Sequence, residues 1–468
     1  MEEFWKQSAS TIAIMVKTGE VSACEVVASA IDRIEKVNPH VNAMVSVQAD
    51  EAFLAARRID ALVANREDPG ILAGVPVSIK VTGDIRGQLM HDGLSDTQKG
   101  SIAERDSYTV ANLRRAGAVF IGRTNAPEFN MRWDTSNPIF GRTLNPWDPT
   151  RTPGGSSGGG AAAVATGMCA LAHGSDLGGS IRQPADSCGV VTIRPTVGRT
   201  PTLGSDPHSS IDSQLMGVDG PLGRSVNDVW LGLNGMVSDG RGEPLAVPVK
   251  LEWNPPTRLR VRVITQLDGV SLDPDVTAAV RKAADALAAA GHEVEEAPNL
   301  PLRRMAEERN SFVWSTLRHD SSFTEDSASE ELQKVWKYML ASTPRVNLGR
   351  YIDLLAKRAD DMREWDQRML VDDIYLGPVA AKPSFLSGAD SVDYTSFAEI
   401  LEGLQLLISL VVTGLPVAVV PVGTSKNRVP VGVQLAGPRW REDVCLAAAQ
   451  TIEDAVGTKT PIDPRDAP

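Results

Sequence analysis

Cysteine and histidine are scarce in this sequence and form no recognisable metal or disulfide pattern. The 468 residues include only four cysteines and six histidines. The cysteines lie far apart without a C-x-x-C pair, which argues against a disulfide framework or a zinc ribbon and favours a reducing compartment such as the cytoplasm. The histidines form no H-E-x-x-H motif and no pair spaced by four residues. We therefore expect no metal centre and no cofactor.

Positive charge is also in deficit. The chain has 47 lysines and arginines against 59 aspartates and glutamates, which gives a net charge of −12. An acidic protein repels the phosphate backbone and offers no basic footprint. We therefore expect no nucleic-acid partner.

Long apolar stretches are absent too. No run reaches the roughly eighteen residues that a membrane-spanning helix needs. The longest candidate, residues 406–420, is interrupted by Thr413, Gly414 and Pro416, and we interpret it as a buried strand with its turn. The first residues, MEEFWKQSAS, contain two acidic side chains and no apolar core, unlike a secretory signal. We expect no membrane partner and a cytoplasmic location.

The chain does contain an alternation of strand-like and helix-like segments. With 42% hydrophobic residues it can bury a large core. Residues 74–80 are typical of a buried strand, and 259–264 followed by 276–290 repeats a strand-to-helix order. Residues 300–375 are instead helical, charged and interspersed with aromatic side chains. We predict one α/β domain over 1–468, with a central mixed β-sheet flanked by helices and a helical cap at about 300–375.

Three local patterns are candidates for a catalytic site. Lys80 ends the strand at 74–80, and two glycine-rich loops follow at 154–159 (GGSSGG) and 178–182 (GGSIR). Taken singly, glycine-rich loops more often form turns only. A lysine at a strand end usually extends to solvent. Their combination is more informative than any one of them.

The three patterns belong to longer motifs that follow one another along the chain. These motifs are GVPVSIK (74–80), TNAPEF (124–129), FGRTLNPWDPTRTPGGSSGGG (140–160) and GSDLGGSIRQPADSCGV (174–190). With them, the sequence resembles the amidase signature family over most of its length. The resemblance implies hydrolysis of a small-molecule carboxylic amide through an acyl-serine intermediate, and it favours a homodimer.

Matched position by position, the resemblance implies a Ser-Ser-Lys triad. Ser180 corresponds to the nucleophile, Ser156 to the family's relay serine in a cis peptide, and Lys80 to the base. The twenty-four positions between the two serines agree with the family pattern and select Ser156 over Ser157, which becomes a supporting residue. A serine hydroxyl needs a base to take its proton. A lysine can be that base only when burial favours its neutral form.

The turn that precedes Ser180 is implied to stabilise the reaction intermediate. Asp176 and Arg182 are interpreted as an ion pair that stiffens it. Glycines in this turn let a substrate carbonyl oxygen approach the backbone closely. An oxyanion hole is implied for the backbone N–H groups of Leu177, Gly178, Gly179 and Ser180.

Apolar and aromatic side chains indicate the substrate class. Such residues are more often core than pocket. If they face the triad, the acyl group is apolar or aromatic, as in an aryl- or alkyl-amide, a hydrazide or an ester. The candidates for this substrate pocket are Met131, Trp133, Trp314 and Trp336.

The sequence departs from the family pattern at three places. Val81 follows the lysine where aspartate is usual, and His173 occupies a position that is typically small. The run Thr192 to Arg194 replaces a common Gly-Leu-Lys. These departures concern the surroundings of the triad and none of its members.

Other functions stay open at this point. The glutamine-hydrolysing subunit of an amidotransferase shares the fold and the triad, and a non-catalytic binding protein is a further alternative on the same fold. An α/β-hydrolase is disfavoured because residues 145–153, NPWDPTRTP, favour turns where that fold needs a strand. A phosphate-binding loop is disfavoured because no Lys-Ser or Lys-Thr follows the glycines.

Overall fold

A large mixed sheet forms the centre of the molecule. The computed structural model describes residues 2–89, 102–201, 210–237, 245–319 and 328–466. Within them, the strands are β1 (Met44–Val47), β2 (Pro76–Lys80), β3 (Val119–Thr124), β4 (Ser136–Asn137), β5 (Gly141–Arg142), β6 (Leu171–Asp176), β7 (Val191–Arg194), β8 (Val218–Gly223), β9 (Arg260–Val263), β10 (Glu293–Glu296), β11 (Asp373–Pro378), β12 (Val417–Thr424) and β13 (Pro430–Ala436). Eleven of them form one sheet in the order β1-β3-β2-β6-β8-β7-β12-β13-β11-β9-β10, and β4 pairs with β5.

The strand directions confirm the predicted α/β class and mixed sheet. Strand β2 runs parallel to both β3 and β6, whereas β6 and β8 are antiparallel. All residues of β2, β3, β7, β8, β11 and β13 are buried. Strands covered on both faces are typically continuous apolar runs, which is the pattern at 74–80.

Helices cover both faces of this sheet. Helix α2 begins with the capping box that Ser22 and Glu25 form: each residue's backbone N–H donates to the other's side chain. In the described part of the chain the helices are α1 (Ala9–Thr18), α2 (Ala23–Val41), α3 (Ala49–Ala64), α4 (Tyr108–Arg115), α5 (Gly158–Ala165), α6 (Arg182–Cys188), α7 (Ile211–Met216), α8 (Val226–Met236), α9 (Pro274–Ala289), α10 (Leu302–Leu317), α11 (Glu330–Ala341), α12 (Leu348–Arg368), α13 (Tyr394–Gly403), α14 (Gln405–Thr413) and α15 (Glu442–Val456).

The predicted helical region at 300–375 contains α10, α11 and α12. Its expected end is too late, because the helices stop at Arg368 and β11 begins at Asp373. Strand β11 pairs with β9 and β13 inside the central sheet. Helix α10 contacts α12 and also α14, so the helical region rests on a buried helix next to the sheet.

The interpretation of residues 406–420 as one strand with its turn is wrong. Residues Gln405–Thr413 form helix α14, all of it buried, and only β12 is extended. The helix ends at Gly414, which adopts a left-handed conformation with φ of 67°. A continuous apolar run cannot by itself distinguish a buried helix from a buried strand.

In the described ranges, one pair of helices but no single helix meets the length and composition that a membrane span needs. No one helix there is long and apolar enough to cross a bilayer, although α13 and α14, bent by 56° at their junction, pass the length and composition test as a pair.

Candidate active site

The sheet topology brings the three sequence patterns to one edge. Strands β2 and β6 are parallel neighbours, so their carboxyl ends lie at the same edge of the sheet. Lys80 is the last residue of β2, and Asp176 is the last of β6. The loop with Ser156 leads into α5 and the turn with Ser180 leads into α6. Both glycine-rich segments therefore lie beside the lysine.

Lys80 contacts two serine hydroxyls. Its Nζ lies 2.6 Å from Ser156 Oγ and 3.2 Å from Ser175 Oγ. Lys80 and Ser156 are fully buried, and Ser180 is partly exposed. The predicted base and relay serine are thus screened from water, while the predicted nucleophile is accessible.

The environment of Lys80 favours its neutral form. Complete burial lowers the pKa of Lys80 to about 7, against the opposing effect of the Asp219 and Asp176 carboxylates. A buried ammonium loses its hydration, and among the residues that the structure describes the side chains that contact its Nζ are serine hydroxyls rather than carboxylates. A substantial fraction of Lys80 can therefore accept a proton near neutral pH.

Close backbone contacts define the loop that carries Ser156. The peptide bond between Gly155 and Ser156 is cis. The Gly155 N–H donates to Gln183 Oε1 at 2.8 Å, and a Cβ on Gly155 would lie 2.4 Å from the carbonyl oxygen of Arg132. Only glycine fits that approach. The Ser157 N–H donates to the Ser180 carbonyl at 3.0 Å, which ties the two loops together.

A buried ion pair holds the nucleophile turn, residues 176–182. Arg182 donates Nε to Asp176 Oδ2 at 2.9 Å and Nη2 to Oδ1 at 3.2 Å, and neither side chain is exposed. Although burial raises the pKa of Asp176, the guanidinium groups of Arg182 and Arg194 hold it well below its usual range. Arg194 also donates to the Asp176 carbonyl at 2.6 Å. The ion pair expected from the sequence is present.

The backbone donors of this turn are not equivalent. Gly179 has a φ of 99°, and its N–H donates to Asp176 Oδ1 at 2.8 Å. This N–H therefore stabilises the turn itself. A Cβ on Gly179 would lie 2.2 Å from Leu407 Cδ2, so the residue also has no room for a side chain.

The predicted pocket residues lie in different environments. Trp133 Nε1 donates to the Gly178 carbonyl at 3.2 Å, in the nucleophile turn, and Met131 is partly buried against the same core. Trp314, on α10, is only 3% exposed. Trp336 lines a depression of about 550 Å³ with Leu317, Arg318, Leu340, Ala341, Thr343 and Arg345. That depression includes no residue of the triad.

Two neighbours of the site were not predicted from the sequence. Ser175, which contacts Lys80, lies inside the quoted motif GSDLGGSIR, so its position between Gly174 and Asp176 was the available signal. Arg309 comes from α10 and donates Nη2 to the Leu177 carbonyl. A Cβ on Gly178 would lie 2.9 Å from this Nη2. No local pattern marks an arginine 132 positions away from its partner.

The described ranges contain no candidate metal site. They contain no group of three or more histidine, cysteine, aspartate or glutamate side chains able to hold a metal ion.

Comparisons with known proteins show which family the chain is similar to. The family model described as Amidase matches residues 25–446. Indoleacetamide hydrolase of Bradyrhizobium diazoefficiens is 36% identical, covering 97% of this chain and 87% of that protein. A glutamyl-tRNA(Gln) amidotransferase subunit of Synechococcus sp. (strain RCC307) is 34% identical, covering 94% and 95%. The solved structure of 6-aminohexanoate cyclic dimer hydrolase has a TM-score of 0.85 at 28% identity, covering 98% of this chain and 99% of that one.

The family match and the relatives identify the chain as a hydrolase of carboxylic amides. The chain belongs to the amidase signature family.

Proposed function

We propose that the chain hydrolyses its amide through an acyl-Ser180 intermediate, with Ser156 as proton relay and Lys80 as base. The observation that carries this proposal is the fully buried contact of 2.6 Å between Lys80 Nζ and Ser156 Oγ. A neutral amine at that distance can accept the Ser156 proton directly. The hydrogen bond from Ser157 N–H to the Ser180 carbonyl supports the proximity of the third member.

The proton then follows a short path in each half-reaction. As Ser180 Oγ attacks the amide carbon, its proton passes to Ser156 Oγ while the Ser156 proton passes to Lys80. Collapse of the tetrahedral intermediate breaks the C–N bond, and the same path returns a proton to the leaving amine. Water then attacks the acyl-serine in the reverse sense and releases the carboxylic acid. Both serines and the lysine recover their starting protonation.

The negative oxygen of the tetrahedral intermediate needs donors in the turn before Ser180. We propose the backbone N–H groups of Leu177, Gly178 and Ser180 for this role, with Gly179 contributing less because its N–H already donates to Asp176. The bidentate pair of Asp176 with Arg182 supports this by fixing the turn before substrate arrives. Preorganised donors of this kind each contribute about 10²–10³ in rate.

We propose an aryl- or arylalkyl-amide as the substrate class. Trp133, whose Nε1 donates to the Gly178 carbonyl, contributes aromatic surface beside the nucleophile turn. The similarity to a protein named for indoleacetamide, an amide of an arylacetic acid, agrees with that environment. A panel of amides with increasing acyl size tests this class. A preference for small charged amides such as malonamate would contradict it.

Substitution of the two adjacent serines tests the triad with a matched control. We expect Ser156→Ala to lower kcat by about 10³-fold or more, because it removes the relay. Ser157→Ala, in the same loop, should lower kcat by at most about tenfold. Ser180→Ala and Lys80→Met should each abolish turnover with thermal unfolding temperature unchanged. Equal effects of Ser156→Ala and Ser157→Ala would contradict the relay.

The pH dependence tests the base. Because Lys80 must be neutral and burial lowers its pKa to about 7, kcat/KM should rise with pH and reach half its plateau near pH 7. The measurement is kcat/KM between about pH 5 and pH 9, which reports ionisations of the free enzyme. A profile that falls from about pH 6 to pH 8 would exclude Lys80 as the base.

A second candidate is a glutamine-hydrolysing component that works with a partner. The similarity to an amidotransferase component over nearly the full length of both chains favours it. The purified chain alone discriminates the two: an independent amidase hydrolyses simple aryl amides without any partner. Activity that appears only with glutamine and a further subunit would support the second candidate instead.

A further inference from the structure

A histidine and an aspartate lie buried beside Lys80 and take no part in the proposed reaction. His173 on β6 is 3% exposed and Asp219 on β8 is 7% exposed. The His173 Nε2 lies 3.2 Å from Asp219 Oδ2. Neither ring nitrogen makes a well-aligned hydrogen bond among the residues that the structure describes, so the contact with Asp219 is one of proximity. A buried titratable pair of this kind calls for a functional explanation.

The register of the sheet places this pair next to the lysine. In the antiparallel pairing of β6 with β8, Asp219 is directly opposite Ser175. His173 precedes Ser175 by two residues and therefore shares its face of the sheet. Ser175 Oγ lies 3.2 Å from Lys80 Nζ. Ser175 thus contacts the lysine and is the cross-strand neighbour of Asp219.

The turn after Lys80 also contacts the histidine. Gly83 lies three residues beyond the lysine, and a Cβ there would be 3.1 Å from His173 Cε1 and 3.3 Å from the Lys80 carbonyl oxygen. His173 therefore packs directly beneath the segment that carries the lysine. A larger residue at position 83 would displace one or the other.

The other charged groups around the lysine have partners of their own. Asp176 is paired with Arg182, and Arg194 lies 3.6 Å from the same carboxylate. Arg123, on β3, donates to the Lys80 carbonyl at 3.2 Å. Within the described part of the chain, Asp219 makes no ion pair with lysine or arginine, and the basic side chain that contacts its carboxylate is His173. Asp219 is one of the two carboxylates whose charge opposes the effect of burial on the pKa of Lys80.

We propose that His173 and Asp219 form a buried electrostatic pair that sets the basicity of Lys80. The proposal rests on the role of Lys80 as base given above. The His173 ring packs against Asp219, with Nε2 3.2 Å from Oδ2, and holds that carboxylate in place. The carboxylate favours the ammonium form of the lysine, so it makes the neutral amine a stronger base and shifts its activity to higher pH. Both residues are positioning residues, because neither reaches the reacting atoms.

Asp219→Asn removes the charge and keeps the shape. We expect the inflection of the kcat/KM profile to move down by about half to one pH unit, because one opposite charge near the lysine is lost. The rate at about pH 6 should rise severalfold, and the plateau at alkaline pH should fall, because a weaker base transfers the proton less effectively. A purely structural residue would lower the profile at all pH values without moving its inflection.

Two substitutions of His173 test its role in holding the carboxylate. His173→Gln keeps a polar side chain beside Asp219 and should leave the inflection within about 0.2 pH unit of wild type. His173→Leu removes the polar neighbour and leaves the carboxylate less well fixed, so it should move the inflection down by less than Asp219→Asn does. An upward shift in His173→Leu would mean that His173 itself lowers the basicity of Lys80, and it would overturn the role proposed for the pair.

A matched control separates this effect from the loss of any buried carboxylate. Asp228 is fully buried and accepts from the Ser10 N–H at 3.1 Å, so Asp228→Asn should lower the unfolding temperature without moving the inflection. An unshifted inflection in folded Asp219→Asn would overturn the proposal. If Lys80→Met instead keeps its turnover, the base assignment fails, and that result is distinguishable because it does not involve either residue of the pair.

Discussion

The strand-end site and the helical region of α10 to α12 differ in how they are buried. Every residue of α5, which follows Ser156, is buried. Helix α12 has 21 residues, of which Leu354, Asp361 and Trp365 are buried. A fully packed segment holds its groups in one geometry, whereas a half-exposed helix tolerates change. We therefore expect the chemistry to depend on the residues at the strand ends, and we expect the helices of α10 to α12 to tolerate substitution.

Hydrogen bonds are among the contacts that connect the two regions. Arg309 of α10 donates to the Leu177 carbonyl of the nucleophile turn. Glu128, which lies in the motif TNAPEF, accepts from the backbone N–H of Ser329 at 2.8 Å, at the start of α11. The helical region can therefore influence the site through hydrogen bonds that substitutions can remove one at a time.

The largest expected effect is at the core of the site. Asp176→Asn leaves Arg182 and Arg194 buried without their counter-charge, which should cost about 3–5 kcal/mol of unfolding free energy and most of the activity. The pKa of Asp176 is depressed in the folded protein, so this stability is present above about pH 4 and is lost as the pH falls below that value. Urea unfolding of wild type and Asp176→Asn at about pH 7 and pH 3 measures the cost in unfolding free energy and its dependence on pH.

An exposed carboxylate provides the control for that change. Asp454 lies on α15 at the surface, so Asp454→Asn should alter the unfolding free energy by less than about 0.5 kcal/mol. A similar small value for Asp176→Asn would show that the turn does not depend on its buried ion pair.

An intermediate effect is expected at the connection between the regions. Arg309→Met removes the hydrogen bond to Leu177, so the turn loses one fixed point and kcat should fall about tenfold while KM changes less. Arg303→Met on the same helix is the control, because Arg303 contacts Asp268 and not the turn. Steady-state kinetics of both variants measure kcat and KM. Equal losses of kcat in the two variants would show that the hydrogen bond from Arg309 to the turn does not contribute to catalysis.

The smallest effect compares two tryptophans that the sequence alone did not separate. Trp133 contacts the nucleophile turn, and Trp336 lines a depression without triad residues. Trp133→Leu should raise KM for aryl amides several-fold relative to small aliphatic amides, since apolar contact differences are typically about 1–3 kcal/mol. Trp336→Leu should leave that ratio unchanged. A reversed pattern in KM would place the acyl pocket against α11.

Local patterns predicted much of the fold because they describe local physics. The capping box at Ser22 requires only neighbouring residues, and the buried strand ending at Lys80 follows from seven consecutive residues. The helix α14 was mistaken for strand because its apolar run lacks a polar face, so no periodicity distinguishes the two. The extent of the helical region was overestimated because β11 is a short strand between distant partners.

Contiguous motifs, which close backbone approach requires, were sufficient to predict the family, the glycine-rich loops and the three candidate catalytic residues. The folded chain was needed to show the contact of Lys80 with Ser175, the hydrogen bond from Arg309 to Leu177 and the proximity of His173 to Asp219. Those contacts join residues far apart in the chain. Sheet register and burial, which no local pattern encodes, decide which charges surround the lysine and hence how readily it loses its proton.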